Sequence, residues 1–115
     1  MKDWIKGVDY PEWMNDTGLK TLNGGYLLVN ESPKDMWMRV SKAAANNLNK
    51  PELVEKFFNA FWNGWLCGAT PVLSNLGTDR GLPISCFGLA VPDSVDGIYK
   101  SVHEMAMLSK HGGVS

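Results

Sequence analysis

The sequence predicts an α/β chain in two parts: a mainly helical N-terminal region, residues 1–68, and the opening of an α/β unit, residues 69–115. Three observations carry this. Apolar residues recur at helical spacing over 36–48 and again over 53–66. The apolar run Leu82–Val91 follows the turn-like Asn75-Leu76-Gly77-Thr78-Asp79-Arg80-Gly81 and reads as a strand. That run leads through Pro92-Asp93 into a third helical pattern, which stops at Gly112-Gly113. Strand, turn and helix in that order form the unit from which parallel sheets and barrels are built. A single strand has nothing to pair with, so its backbone groups need partners from elsewhere.

The first thirty residues are weakly patterned. Tyr10-Pro11-Glu12-Trp13-Met14 can start a short helix, with Pro11 in a first-turn position. Asn23-Gly24-Gly25 marks a turn before the short apolar run Tyr26-Leu27-Leu28-Val29. The simplest expectation is an arm that packs its aromatics on another surface.

The first clear helix begins at Ser32-Pro33-Lys34-Asp35. Ser32 can accept an orphan backbone N–H, and Pro33 loses nothing at the first helical position. Met36, Val40, Ala43, Ala44 and Leu48 follow at helical spacing, and the helix should end near residues 47–49. A second helix is expected to use Asn49 as its cap, with Pro51 in the first turn and Glu52 three residues after the cap. Its apolar residues Leu53, Val54, Phe57, Phe58, Phe61, Trp62, Trp65 and Leu66 make a face wider than one amphipathic stripe. Such a face is covered on more than one side, which points to a larger assembly. Gly68 can end it. Trp37, Trp62 and Trp65 are expected in the core or an interface. The third helix should run from Ser94 to Lys110. Asp93 or Ser94 caps it, and Asp96 suits the positive end of its dipole. Val95, Ile98, Val102, Met105 and Ala106 are its expected buried face, and Gly112 its left-handed close.

Composition narrows the classes. A chain of 115 residues can build one small domain with a core. A net charge of −1 gives no electrostatic footprint for nucleic acid or an anionic membrane. No apolar run approaches the roughly 18 residues that span a bilayer. Met1-Lys2-Asp3-Trp4 lacks the apolar core of a signal peptide, so the cytoplasm is the expected location. Two cysteines make no disulfide framework there, and with two distant histidines they supply no zinc set. No metal site is expected.

Chemistry concentrates between residues 69 and 88 and at the last helix end. Functional groups in α/β units cluster at strand ends and the following loops. Cys86, on the expected strand, is the sharpest candidate; the alternative is a small buried hydrophobe. Cys67 reads as packing. Thr70 and Ser85 are hydroxyls beside proline- or glycine-marked bends, where hydroxyls and free backbone N–H groups can cradle a phosphate. Local turn bonding is their alternative. Gly112-Gly113 can bring backbone close to a ligand or simply stop a helix. His111 can pair with an anion or stay solvated.

Taken together, Thr70-Pro71-Val72-Leu73-Ser74-Asn75, Gly81-Leu82-Pro83-Ile84-Ser85-Cys86-Phe87, Pro92-Asp93-Ser94 and Leu108-Ser109-Lys110-His111-Gly112-Gly113 resemble the large, catalytic subunit of ribonucleotide reductase. The nearest look is to class I forms of bacteriophages. Tyr10-Pro11-Glu12-Trp13-Met14 and Gly25-Tyr26-Leu27-Leu28 fit the run-up to the same region. The resemblance implies a helical region leading into the first strand and helix of a ten-stranded α/β barrel, here incomplete. It implies reduction of a ribonucleoside diphosphate to the 2′-deoxyribonucleotide by a radical mechanism. Cys86 matches one of two cysteines that reduce the 2′ position and become a disulfide. Thr70 and Ser85 match residues that hold the substrate's diphosphate and ribose side. Gly113, with Gly112 as the alternative, matches the glycine-turn contact to substrate. Asp93 and Ser94 match the start of the site for a deoxynucleotide effector. The implied partners are the complementary C-terminal part of the subunit and a radical-generating, metal-containing small subunit. Electrons would come from thioredoxin or glutaredoxin, and no cofactor would be bound by this chain itself.

The departures are equally specific. The second reducing cysteine, the radical-bearing cysteine, a nearby carboxylate and asparagine, and a C-terminal cysteine pair are not in this sequence. The glycine run is one residue short of the usual family run, and the family's N-terminal ATP-binding domain is not represented. The chain is therefore expected to be an N-terminal portion, from a split or truncated phage gene, inactive alone. The rival expectation is a non-catalytic module that modulates a reductase or binds nucleotide.

Overall fold

The computed structural model describes residues 9–112. Among these lie α1 (Asp16–Asn23), α2 (Pro33–Asn47), a 3-10 turn (Pro51–Leu53), α3 (Val54–Trp62), α4 (Thr70–Asn75) and α5 (Val95–Lys110). The core sits where α2 packs on α3.

The N-terminal arm differs from expectation. Pro11 makes only a turn, closed by Met14 N donating to Pro11 O at 3.0 Å. The helix begins later, where the Asn15 side chain accepts from Gly18 N at 2.8 Å. Of the arm's aromatics, Trp13 packs on this chain's own core, whereas Tyr10 is exposed. Trp13 donates its indole N–H to Trp62 O at 2.8 Å and tilts against Trp37 with centroids 5.8 Å apart. The tryptophan contacts continue inward, with Trp37 edge-on to Trp62 at 6.2 Å and Phe58 stacked on Trp62 at 5.3 Å. Offset and edge geometries of this kind suit the ring quadrupoles.

α2 starts as the sequence indicates. Ser32 Oγ accepts from Asp35 N, and the Asp35 carboxylate accepts from Ser32 N and Oγ, closing a capping box. These hydrogen bonds hold the Asp35 carboxyl below its ordinary range, the Ser32 side chain being the larger cause. Met36, Trp37 and Val40 are buried as a face, with Ser41 satisfied by donating to Trp37 O at 2.7 Å. Leu48, expected in that face, is exposed.

Asn49 does not cap the next helix. It closes α2 in the left-handed conformation, φ 54°. Asn49 N donates to Asn46 O and Lys50 N to Ala45 O, the two bonds of a Schellman close. The same close ends α3 before Gly68. Gly64 (φ 71°) donates to Phe61 O and Trp65 N to Ala60 O. Trp65 and Leu66 are thereby thrown off the helix and exposed, whereas Phe58, Phe61 and Trp62 stay buried. Gly68 has a different use: a Cβ there would lie 2.5 Å from Leu73 Cδ2, so it lets α4 seat on α3.

α4 is held from two sides by arginines. Arg39 of α2 donates to Leu73 O at 2.9 Å and Leu76 O at 2.6 Å while pairing with Glu31 at 2.7 Å. Arg80 donates to Ser74 O at 2.6 Å and to Gly25 O and Tyr26 O at 3.1 Å, tying the loop after α1 to α4.

The expected strand is the main correction. No strand occurs among the described residues; Cys86 alone makes a bridge. Yet burial alternates along 81–90, with Pro83, Ser85, Phe87 and Leu89 half-buried between exposed neighbours. That is the two-residue period of a strand without the ladder that would define one. The barrel is not visible. α5 lies along this segment by its small residues. Ser101 Oγ donates to Ala90 O at 3.4 Å and Gly97 O at 3.0 Å, and a Cβ at Gly97 would meet Pro92 Cβ at 2.6 Å. Its expected buried face is instead open: Val95 is 73% exposed, and Ile98, Val102 and Met105 are exposed as well. The chain extends 61 × 34 × 24 Å, longer than a compact body of this length, because α5 does not pack broadly on the other helices.

Replacing Arg39 by Leu should lower stability by about 3 kcal/mol, since Glu31 would stay buried without its partner. A lowered urea midpoint checks this; an unchanged one refutes the clamp. For Asp35, a depressed folded pKa means the unfolded state binds the proton more readily. Its contribution is therefore complete above the unfolded value of about 3.8 and lost as pH falls through the folded value. An acid titration of Asp35 read against Ser32 amide exchange should show the two moving together.

Candidate functional site

α4 is short, and its sequence explains its place. Ala69 is extended (φ −64°, ψ 152°), and Pro71 fits the first turn. Four residues apart, Thr70 and Ser74 fall on the same face. Leu73, on the adjoining face, is buried in the core. Asn75 then organises the following turn. Its carbonyl accepts from Thr78 N at 3.0 Å and Thr78 Oγ1 at 2.8 Å, and its side-chain N–H donates to Leu82 O at 2.8 Å. The extended segment is thus pinned beside α4.

The end of α5 closes the arrangement. A Cβ at Gly81 would lie 2.9 Å from Asn75 Nδ2 and 3.0 Å from His111 O, so a side chain there would have to displace the Asn75 amide and the end of α5. Gly112 adopts φ 84°, as expected for the close of the last helix. The result is a groove of about 310 Å³ lined by Thr70, Pro71, Ser74, Asn75, Ser85 and Gly112. Its lining is uncharged and mostly apolar, with a few hydroxyl and amide groups that can meet the oxygens of a small ligand. Tyr26 Oη lies 2.8 Å from Thr70 Oγ1, behind the groove.

Of the residues singled out by sequence, Thr70 and Ser85 come together in this groove, with Gly112. Cys86 is exposed beside it, Sγ 3.8 Å from Ser85 Oγ, but does not line it. Gly113 lies outside the described residues. Asp93 is exposed, and Ser94 caps α5 by accepting from Gly97 N at 3.0 Å. These two stand at the far end of a 16-residue helix from Gly112, about 24 Å away along its axis. Sequence reasoning missed Ser74, Asn75 and Tyr26. Ser74 was recoverable, because Pro71 after Ala69-Thr70 is a helix-start signal that puts Thr70 and Ser74 on one face. Tyr26 was not, since nothing local links it to Thr70. Among the described residues no three His, Cys, Asp or Glu side chains gather to hold a metal ion. No described helix is long and apolar enough to cross a membrane.

Fold and groove together define a helical domain that carries a small uncharged cleft at the junction of α4, the extended segment and the end of α5. Comparison with known proteins gives this class a family. The family model for the ribonucleotide reductase all-alpha domain matches residues 13–81. The ribonucleoside-diphosphate reductase subunit alpha of Helicobacter pylori is 35% identical over 106 residues, covering 86% of this chain and 14% of that protein. The ribonucleoside-diphosphate reductase large subunit of Danio rerio is 37% identical over 107 residues, covering 86% of this chain and 13% of that protein. Among solved structures, the Actinobacillus ureae class Id ribonucleotide reductase alpha subunit superposes with a TM-score of 0.81 at 35% identity, over 89% of this chain and 20% of that one. The chain belongs to the ribonucleotide reductase large-subunit family and spans about a seventh of the length of these curated relatives.

The groove depends on the Gly81 approach. Gly81→Ala should push the α5 end away and cost about 1–3 kcal/mol. The amide signals of Asn75 and Gly112 should shift and exchange faster; unchanged signals would show that the approach is not required.

Proposed function

We propose that this chain is the N-terminal portion of a ribonucleoside-diphosphate reductase catalytic subunit, working with the rest of that subunit to make 2′-deoxyribonucleotides for DNA synthesis. The observation that supports this most directly is the shared groove of Thr70 and Ser85, with Cys86 next in the chain. In this reading the groove takes the diphosphate and ribose side of the substrate. Thr70, Ser85 and the turn at Gly112 supply hydroxyl and backbone donors to its oxygens, with Gly113 given the same role by the family resemblance. Residues 1–68 form the helical region. Residues 69–115 open the barrel, and segment 82–91 becomes a strand once neighbouring strands satisfy its backbone.

Cys86 is one of a pair of thiols. Each gives up one electron, the pair closes to a disulfide, and the substrate's 2′-hydroxyl leaves as water. The second thiol and the radical-bearing cysteine belong to the remainder of the subunit. The radical comes from a metal-containing small subunit, and thioredoxin or glutaredoxin reduces the disulfide. Asp93 and Ser94, at the opposite end of α5, begin the site for a deoxynucleotide effector. The reaction takes place in the cytoplasm.

The test is reconstitution of the chain with the complementary part of a catalytic subunit, the small subunit and a dithiol reductant. Turnover of a ribonucleoside diphosphate is expected. Cys86→Ser should abolish it while changing nucleotide affinity by less than about twofold. Full turnover by that variant removes the redox role. Inhibition of an intact reductase, in place of reconstitution, would mark the chain as a non-catalytic modulator.

A further inference from the structure

Among the described residues, Tyr26 is the polar side chain outside the groove that reaches a groove hydroxyl from a separate loop, and its surroundings fix it. Its ring packs against the α2–α3 core. Its backbone N–H donates to Leu22 O at 3.0 Å, and its carbonyl accepts from Arg80 at 3.1 Å. Arg80 in turn holds Ser74 O at 2.6 Å, so the loop and α4 are tied together one helical turn from Thr70. The phenol oxygen lies 2.8 Å from Thr70 Oγ1.

Two hydroxyls at this distance share one proton between them, and the chemistry decides which is given. A phenol is the stronger acid and the poorer acceptor, an aliphatic hydroxyl the reverse. Either hydroxyl can donate at this distance, and this difference favours the Tyr26 O–H as donor to Thr70 Oγ1. Thr70 has one proton of its own, which this arrangement leaves for a partner in the groove. A phosphate oxygen is such a partner, because it only accepts.

We propose that Tyr26 is a positioning residue of the groove: it holds the Thr70 hydroxyl as a donor aimed at the diphosphate oxygens of the substrate. This rests on the reductase reading, and deepens it. The Tyr26 ring does not line the groove, so its effect passes entirely through Thr70. Removing the phenol oxygen frees the Thr70 hydroxyl to rotate and to donate to water. The loss expected from one hydrogen bond is about 3- to 10-fold in substrate binding.

The experiment uses the reconstituted reductase containing this chain, with four versions: unsubstituted, Tyr26→Phe, Thr70→Val and the double variant. Phe keeps the ring in its packing. Ribonucleoside diphosphate affinity is read by equilibrium dialysis, and KM and kcat by turnover. The proposal expects Tyr26→Phe to raise Kd and KM about 3- to 10-fold with kcat within about twofold, and to add nothing further in the Thr70→Val background. Unchanged affinity in Tyr26→Phe, or an equal loss in both backgrounds, overturns the positioning role and leaves the reductase reading intact. An unsubstituted assembly that binds no ribonucleoside diphosphate overturns that reading, and the positioning role with it.

Discussion

The guanidinium of Arg39 is the constraint on which the rest of the structure depends. α4 has six residues, too few to hold a helix on its own. Its last carbonyls have no intrahelical partner. Arg39 supplies donors to Leu73 O and Leu76 O from a fixed fork on α2, while both Glu31 oxygens accept from the same fork at 2.7 and 3.1 Å. Glu31 also accepts from Leu28 N at 2.9 Å, so one carboxylate joins the loop before α2 to the arginine. The pair is nearly shielded from water, with 12% and 8% of the two side chains exposed, and a charge so placed is costly unless its partners are all present. That all-or-none character makes α4 a rigid ledge. The groove hydroxyls Thr70 and Ser74 stand on that ledge, and Leu73 anchors it beneath.

A second theme is close approach through missing side chains. Gly68 admits Leu73, Gly77 lets its turn lie against Arg39 and Ala43, and Gly81 admits the end of α5. Each position brings backbone from separate stretches of sequence within van der Waals contact. The groove exists because three such stretches converge: α4, the segment after Gly81 and the turn at Gly112. By contrast, α5 and the segment it accompanies are clad on one side only. Their mutual contact uses Gly97 and Ser101, while Val95, Ile98, Tyr99 and Val102 face outward. A half-clad helix beside an extended segment that carries only an isolated bridge, at Cys86, among the described residues is the local geometry of a strand–helix unit at the border of a larger sheet.

The starts of α2 and α5 were legible because capping is local chemistry; those of α1 and α3 were not, since Pro11 makes only a turn and Asn49 ends α2. Ser32 with Asp35, and Ser94 before Gly97, declare themselves within four residues. The stops were half legible. Gly112 closes α5 as its position suggests, but Asn49 looked like the start of a helix and proved to be the end of one. Both uses suit asparagine, whose side chain can cap and whose backbone tolerates positive φ. Asn63-Gly64 was a stronger stop than Gly68, and overlooking it placed Trp65 in a helix it has already left. The strand at 82–91 was legible as a two-residue period and illegible as a ladder, since pairing needs a neighbour.

By itself the sequence left α1 and α4 illegible, determined the starts of α2 and α5 and most of the buried faces of α2 and α3, and marked the hydroxyls and thiol that family resemblance singles out. These follow from interactions between residues a few positions apart, or from residue types in fixed order. Tertiary structure alone decided that Tyr26 meets Thr70, that Arg39 and Arg80 take the carbonyls of α4, and that Thr70 and Ser85 share a groove from which Cys86 stands just outside. Those contacts join residues separated by long stretches of chain. Only packing fixes their distances, because the entropy of bringing distant segments together is offset by the core they form jointly and by no local preference.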